Sequence, residues 1–364
     1  MRPVVVGSFK EEKESSLEII FKMTQLVLFI LFFVVYASQV DAFVTRVAPR
    51  IEFSGTPQTT MKLSKTYNRE TDHPLSLLIT FDLDDTLFPI QQVVEAANDA
   101  QIAAMHSLGY KDTSMETCMV QTRAIRQSLK SPITYTELRQ KAIRAELERL
   151  VDDNQKPAMS LEEQVEHCFD AWLQARHNAA EEHLFEEVIP ALEDISSHFS
   201  SSAGYCTTIG AITNGRGNPL CMTNTLAPYF AFCVCGEDDG VFPHRKPHPN
   251  IYQVALKRWC SLCQLNNDRE RDDVTLPDVW VHVGDCLAND VGASHDAGAR
   301  AIWVAQPEDE DRKQPNWSTA TEEDREKRAL LMEAARSKMS GEVKDLSELK
   351  RMIETILERS LAMS

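Results

Sequence analysis

Short apolar runs that end in polar clusters recur along the chain, separated by longer stretches with apolar residues every three or four positions. Leu77, Leu78, Ile79 and, after Thr80, Phe81 form the first run, which reads as a buried strand. Cys206–Ile212, Phe230–Cys235, Val279–Val283 and Ala299–Val304 read as further strands. From about Val93 to His198 the pattern is helical. Val93–Leu108 keeps helical spacing, and Thr134–Glu137 and Ser160–Glu163 have the spacing of capping boxes. Leu138, Ile143, Leu147 and Leu150 form the buried stripe of the helix running to about Val151. Pro190 opens another helix through Phe199. Beyond the second and third strands, Pro249 starts a helix from Asn250 to about Trp259, Asp290–Ala297 reads as a short helix, and Thr321–Lys338 as an amphipathic one. Leu346–Leu357 is the final helix, while Leu265–Pro277 and Pro307–Lys313 are polar connections. Strands alternating with helices predict an α/β fold with a doubly wound parallel sheet of five or more strands. The helical stretch is an insertion after the first strand.

Composition narrows the partners. A net charge of −17 argues against a nucleic-acid backbone as a ligand. Nine cysteines are scattered over a long chain and imply no disulfide framework. Cys233/Cys235 and Cys260/Cys263 invite comparison with a four-thiolate metal site. The first pair falls on a strand and the second in a helix, however, so buried thiols are the expectation.

The N-terminus is set apart. Arg2, Lys10, Lys13 and Lys22 precede an apolar run from Leu26 to Tyr36, short for a bilayer span and suited to a signal peptide. Val40 and Ala42 stand at −3 and −1 of a cleavage site before Phe43. A short membrane anchor is the rival reading, and Met23 an alternative start. Phe43–Glu70 carries Arg46, Arg50, Lys62, Lys65 and Arg69 against two acids, with many Ser and Thr, a composition like that of a transit peptide. Residues 1–42 then read as a signal peptide and 43–74 as a transit segment. Together they resemble the bipartite plastid presequence of algae with secondary plastids; an ordinary secreted protein is the other reading. No second hydrophobic span follows, so the mature chain is not expected to be embedded in a membrane.

The chemistry lies at the strand ends. Asp82, Asp84 and Asp85 crowd the end of the first strand, followed by Thr86. Like charges this close repel one another, and a divalent cation among them would offset that cost. Thr213 and Asn214 end the second strand, Gly284–Asp285 and then Asp290 follow the fourth, and Lys246 stands in a proline-rich turn before a helix. The four motifs are DxDxT at Asp82–Thr86, Thr213–Asn214, KPxP at Lys246–Pro249 and GDxxxxD at Gly284–Asp290. In this order they resemble the haloacid-dehalogenase superfamily of aspartyl phosphotransferases. The resemblance spans roughly Leu75 to Val304. It implies a Rossmann-like core (75–94 and 199–364) with an inserted all-α cap domain (95–198), and Mg2+ as cofactor.

The resemblance also implies roles. Asp82 attacks phosphorus; Asp84 protonates the leaving oxygen and later takes a proton from water. The metal is held by Asp82, Asp285 and the Asp84 carbonyl. Thr213 and Asn214 hold the phosphate oxygens, Lys246 adds positive charge, and Asp290 and Thr86 support. Dehalogenases resembling this family lack an acid at the position of Asp84, because a halide leaving group needs no proton. Phe88, in the hinge, is a candidate substrate contact, and Cys286 reads as a packed thiol. Ile212–Pro219, Gly240–Tyr252 and His282–Val304 look like phosphatases of flavin metabolism, acting on FMN or a riboflavin-pathway phosphate. A pyrimidine 5′-nucleotidase and a catalytically idle binding protein with the same core remain the alternatives. The substrate in either enzyme reading is a small phosphate ester; the sequence says nothing of oligomeric state. Sequencing the mature N-terminus should find a start near Phe43 or near residue 70; an intact Leu26–Tyr36 would reject the targeting reading.

Overall fold

The computed structural model describes residues 74–150, 159–267, 276–305 and 322–362. The N-terminal leader, residues 43–73, the Pro307–Lys313 connection and most of the Leu265–Pro277 loop lie outside them. Six parallel strands form one sheet in the order β3-β2-β1-β4-β5-β6. They are β1 (Leu75–Phe81), β2 (Tyr205–Thr213), β3 (Phe232–Cys235), β4 (Val279–Gly284), β5 (Arg300–Val304) and β6 (Met339–Val343). The order reverses direction at β1, so the crevice beyond its carboxyl end is the switch point where such sheets bind ligands.

Side-chain alternation along β1 builds both faces. Leu77, Ile79 and Phe81 enter one core cluster, and Leu78 enters the other, as period-two geometry requires. The first cluster is closed by α5 (Val188–His198) and α9 (Leu349–Ala362), the second by α6 (Asn250–Asn267). Parallel pairing needs such crossovers, and it brings the polar residues after each strand to a single edge.

Between β1 and β2 the described residues form α1 (Ile90–Ser107), α2 (Met115–Ser128), α3 (Tyr135–Leu150), α4 (Leu161–Glu182) and α5. The Thr134 and Ser160 capping boxes are formed. Glu137 N donates to Thr134 Oγ1 at 3.0 Å, and Ser160 N donates to Glu163 Oε2 at 2.7 Å. Helices α1 to α4 share a core of their own, with Met105, Cys118, Ile143, Leu147, Phe169 and Trp172 inside. Helix α5 differs from the expectation that the insertion runs to residue 198. Its stripe Val188, Ala191, Leu192 and Ile195 packs on the sheet instead, because spacing of three, four and seven residues puts these side chains on one face.

Three further differences concern local pattern. The strand β6 is MSGEV, too polar to read as a strand alone; it is recruited as the sheet's edge beside β5. Helix α6 continues to Asn267, past the expected end at Trp259. The Asp290 segment begins as a π-helical turn at Leu287–Gly292 before the short α7 (Ala293–Asp296). Helix α8 (Glu322–Arg336) leads into β6. Among the described residues no helix is long and apolar enough to cross a membrane.

Strand β2 passes so close to β3 that a Cβ at Gly210 would run into the Phe232 ring. Gly210→Ala should therefore lower stability by about 1–3 kcal/mol, read by urea unfolding. An unchanged midpoint would mean that the sheet has room there.

Candidate active site

The three central strands deliver the predicted residues to one place. A cleft of about 190 Å³ beyond the sheet's carboxyl edge is lined by Asp82, Asp84, Thr213, Asn214, Lys246 and Asp285, among others. Asp82 and Asp84 come from the end of β1, Thr213 and Asn214 from β2, Asp285 from β4, and Lys246 from the loop between β3 and α6.

Lys246 is the electrostatic centre. Its Nζ donates to Asp82 Oδ1 at 2.7 Å and to Asp290 Oδ1 at 2.6 Å, with the ammonium group almost wholly buried. Burial works against the charge on Lys246, but Asp290 and Asp82 outweigh it and hold the ammonium well above the ordinary lysine range. Burial likewise opposes ionisation of Asp290, yet Lys246 and His282 bring its carboxyl down to about 2. Asp82 goes the other way. Burial raises it well above the carboxylate range; Lys246 opposes, while Asp290, Asp285 and Asp84 add to the rise. The nucleophile candidate thus ionises less readily than Asp290.

A polar chain behind Lys246 extends into the sheet. Trp280 Nε1 donates to Thr80 Oγ1 at 2.9 Å, and Thr80 Oγ1 lies 2.8 Å from His282 Nδ1. An ionised Asp290 Oδ1, 3.4 Å from Nε2, can only accept, so the neutral ring carries its proton on Nε2 and Nδ1 accepts from the Thr80 hydroxyl. Burial lowers the His282 pKa and keeps the ring neutral. These residues belong to none of the four motifs, though a signal exists. Thr80 and His282 are polar positions within apolar strands, and the β1–β4 register pairs them side by side.

The remaining predicted residues support the site in distinct ways. Asp285 N donates to Thr86 Oγ1 at 3.1 Å, and Trp303 Nε1 donates to the Asp285 carbonyl at 2.7 Å. Asn214 was expected to turn its amide to the substrate. Its side chain instead accepts from Lys246 N at 2.8 Å and donates to Lys246 O at 3.0 Å, so it anchors the lysine loop, whose main-chain groups need partners. Thr213 Oγ1 accepts from Gly215 N at 3.1 Å. Asp85 adopts φ 61° and accepts from Ile90 N at 3.1 Å, turning the chain sharply out of β1 into α1. Phe88 does not face the cleft: it is fully buried in the sheet's core cluster, where its ring gains more from apolar contact than from a polar pocket.

Arginines supply what the motifs did not mark. Arg176, from α4, donates through Nη2 to Asp84 Oδ1 at 2.7 Å. Arg328, from α8, lines the cleft and its Nη2 lies 3.2 Å from Cys286 Sγ. Burial pushes the Cys286 thiol to about 11, so it is a packed thiol in the cleft wall. Single arginines on long helices carry no local signature, and only the fold shows where they reach.

A haloacid dehalogenase-like hydrolase family model matches residues 77–298. The chain belongs to the haloacid dehalogenase-like hydrolases. The solved 2-haloacid dehalogenase from Pseudomonas syringae pv. Tomato DC3000 is 24% identical over 77% of this chain and 99% of its own, with a TM-score of 0.51; this likeness is one of fold. A HAD phosphatase from Thermococcus onnurineus is 16% identical over 76% of this chain and 97% of its own, TM-score 0.37. The magnesium-bound HAD-hydrolase YfnB from Bacillus subtilis is 14% identical over 78% of this chain and 99% of its own, TM-score 0.40. No curated protein matches the sequence.

In this hydrolase, removing Lys246 strands two buried carboxylates. Lys246→Met should cost about 3–5 kcal/mol near neutral pH, measured by urea unfolding without added metal. It should also reverse the local pH dependence. In the unaltered protein the pairing of Asp290 stabilises above the unfolded pKa near ~3.9 and is lost as pH falls towards about 2. In the variant, the unpaired carboxylates bind protons more tightly when folded, so its deficit shrinks on acidification. A variant as stable as the parent at neutral pH would refute the pairing.

Proposed function

We propose that this hydrolase is a phosphatase that cleaves a small phosphate monoester through an aspartyl-phosphate on Asp82, with Mg2+. One observation carries the reading: a second carboxylate, Asp84, lines the same cleft as Asp82, Lys246 and Asp285. A carboxylate nucleophile alone would serve a dehalogenase. A second acid at this position is useful where the leaving group is an alkoxide that needs a proton.

The donor set suits a hard divalent cation. Carboxylate oxygens of Asp82, Asp285 and Asp290 lie within 4.8 Å of one another, and oxygen-only sites favour Mg2+ over thiophilic metals. Asp290 already binds Lys246 Nζ with Oδ1 and accepts from Cys286 N with Oδ2, which leaves Asp82, Asp285 and the Asp84 carbonyl to hold the ion. When bound, it would supply the positive charge that lets Asp82 ionise and lets an anionic ester approach.

The chain's own residues account for the remaining steps. Asp82 attacks phosphorus in line and the ester P–O bond breaks. Asp84 gives its proton to the departing oxygen, then accepts one from the water that hydrolyses the aspartyl-phosphate and frees Asp82. Lys246 keeps positive charge beside the nucleophile, and the Thr213 hydroxyl faces the same cleft. The helical insertion acts as a cap. The cleft volume of about 190 Å³ is below the ~300 Å³ at which ligand pockets begin. It takes the phosphoryl group and the first atoms of the leaving group, and the rest of the substrate meets the insertion. FMN and riboflavin-pathway phosphates are the first substrates to assay, on the strength of the segment resemblance. Delivery to a plastid by the N-terminal leader belongs to the same proposal.

Assays of Asp82→Asn and Asp84→Asn on purified protein test the mechanism. The first should abolish turnover while the protein still folds, as read by circular dichroism. The second should slow it by roughly 10²–10⁴-fold. Chelation should remove activity and Mg2+ restore it. Turnover surviving in Asp82→Asn would point to another nucleophile, and a protein idle toward every phosphate ester would be the binding scaffold instead.

A further inference from the structure

The acid in this mechanism is gripped by a residue from outside the sheet. Arg176 belongs to α4, yet its Nη2 reaches Asp84 Oδ1 at 2.7 Å, with the arginine side chain 4% exposed. Its Nε is buried with no hydrogen-bond partner. A guanidinium this deep and this sparsely bonded is costly, and Asp84 is the carboxylate it meets.

Two further observations show that the pair is built into the fold. The first is clearance: a Cβ at Gly215 would come 2.5 Å from Asp84 Oδ2 and 3.0 Å from Arg176 Nη2. The loop after β2 is therefore bare where the pair lies. The second is support. The Arg176 guanidinium stands 5.9 Å from the Trp172 ring, and Arg139 stacks on that ring at 4.1 Å. Trp172 Nε1 donates to Asn98 Oδ1 at 3.2 Å, and Arg139 Nη1 donates to Asn98 Oδ1 at 3.1 Å and to Gln101 Oε1 at 2.8 Å. Helices α1, α3 and α4 thus fix the Trp172 ring beside which Arg176 lies.

We infer that Arg176 is the positioning residue for the proton donor: it fixes Asp84 through Oδ1, leaves Oδ2 against Gly215 to carry the proton, and makes that alignment depend on the seating of the helical insertion. The inference rests on the phosphatase reading. The proton moves from Asp84 Oδ2 to the ester oxygen as the P–O bond breaks, and returns from the water that adds to phosphorus. Orientation of a reacting group by a neighbour of this kind is how a second layer of residues contributes to rate.

A leaving-group series separates this role from a structural one. The kcat/KM of the full chain with Mg2+ is measured for p-nitrophenyl, phenyl and glycerol phosphates, because a nitrophenolate departs unprotonated and an alkoxide does not. Arg176→Met should lower kcat/KM more steeply as the leaving group worsens, with the glycerol ester losing about tenfold or more beyond the nitrophenyl ester. Arg176→Lys, which returns a donor to Oδ1, should recover the glycerol ester selectively, and it carries the test should the methionine variant not fold. Equal losses across the series, or none, would overturn the role of Arg176 and leave the phosphatase reading intact. A parent enzyme that hydrolyses none of the three esters would remove that reading and this inference together.

Discussion

A buried ammonium between two buried carboxylates is the constraint on which the site depends. Lys246 touches Asp82 and Asp290, which leave different elements of the sheet's carboxyl edge. Neither carboxylate could be desolvated alone without a cost of several kcal/mol, and the lysine could not be buried without them. The three groups therefore specify one another. They also require that the loop carrying Lys246 be fixed, which Asn214 achieves by bonding both main-chain groups of the lysine.

The cations do not serve all the acids of this centre equally. Arg176 pairs with Asp84 and Arg328 stands in the cleft wall, yet Lys246 is the cation bonded to Asp82, and burial and the acidic neighbours still push Asp82 well above the carboxylate range. The site thus holds Asp290 as an anion while leaving Asp82 reluctant to ionise. The neutral His282, held by Thr80 and Trp280, extends the arrangement into the sheet without adding charge.

The helical insertion is tied to this edge through polar links, although its core is separate. Besides Arg176 and Asp84, Thr136 Oγ1 donates to Glu237 Oε2 at 2.6 Å, and the Arg245 guanidinium lies 3.6 Å over the Tyr135 ring. Arg245 is the neighbour of Lys246, so this contact between insertion and sheet falls beside the buried lysine. Polar links of this kind are individually weak beside apolar burial.

The sequence by itself determined the strands of the central sheet, the capped helices between the first two, and the acids and lysine that follow them. Those features are local: apolar runs, capping spacings and turn residues act within a few positions. What only the tertiary structure decided depends on contacts far apart in the chain. The polar strand β6 is a strand because β5 offers it an edge, and α5 leaves the insertion because the sheet covers its apolar face. Asn214 turns to a loop 32 residues away, and Arg176 reaches an acid 92 residues away. Thr80 and His282 meet only because β1 and β4 are neighbours in register. A side chain's type and spacing are written in the chain, but its partner is chosen by which element the fold sets beside it.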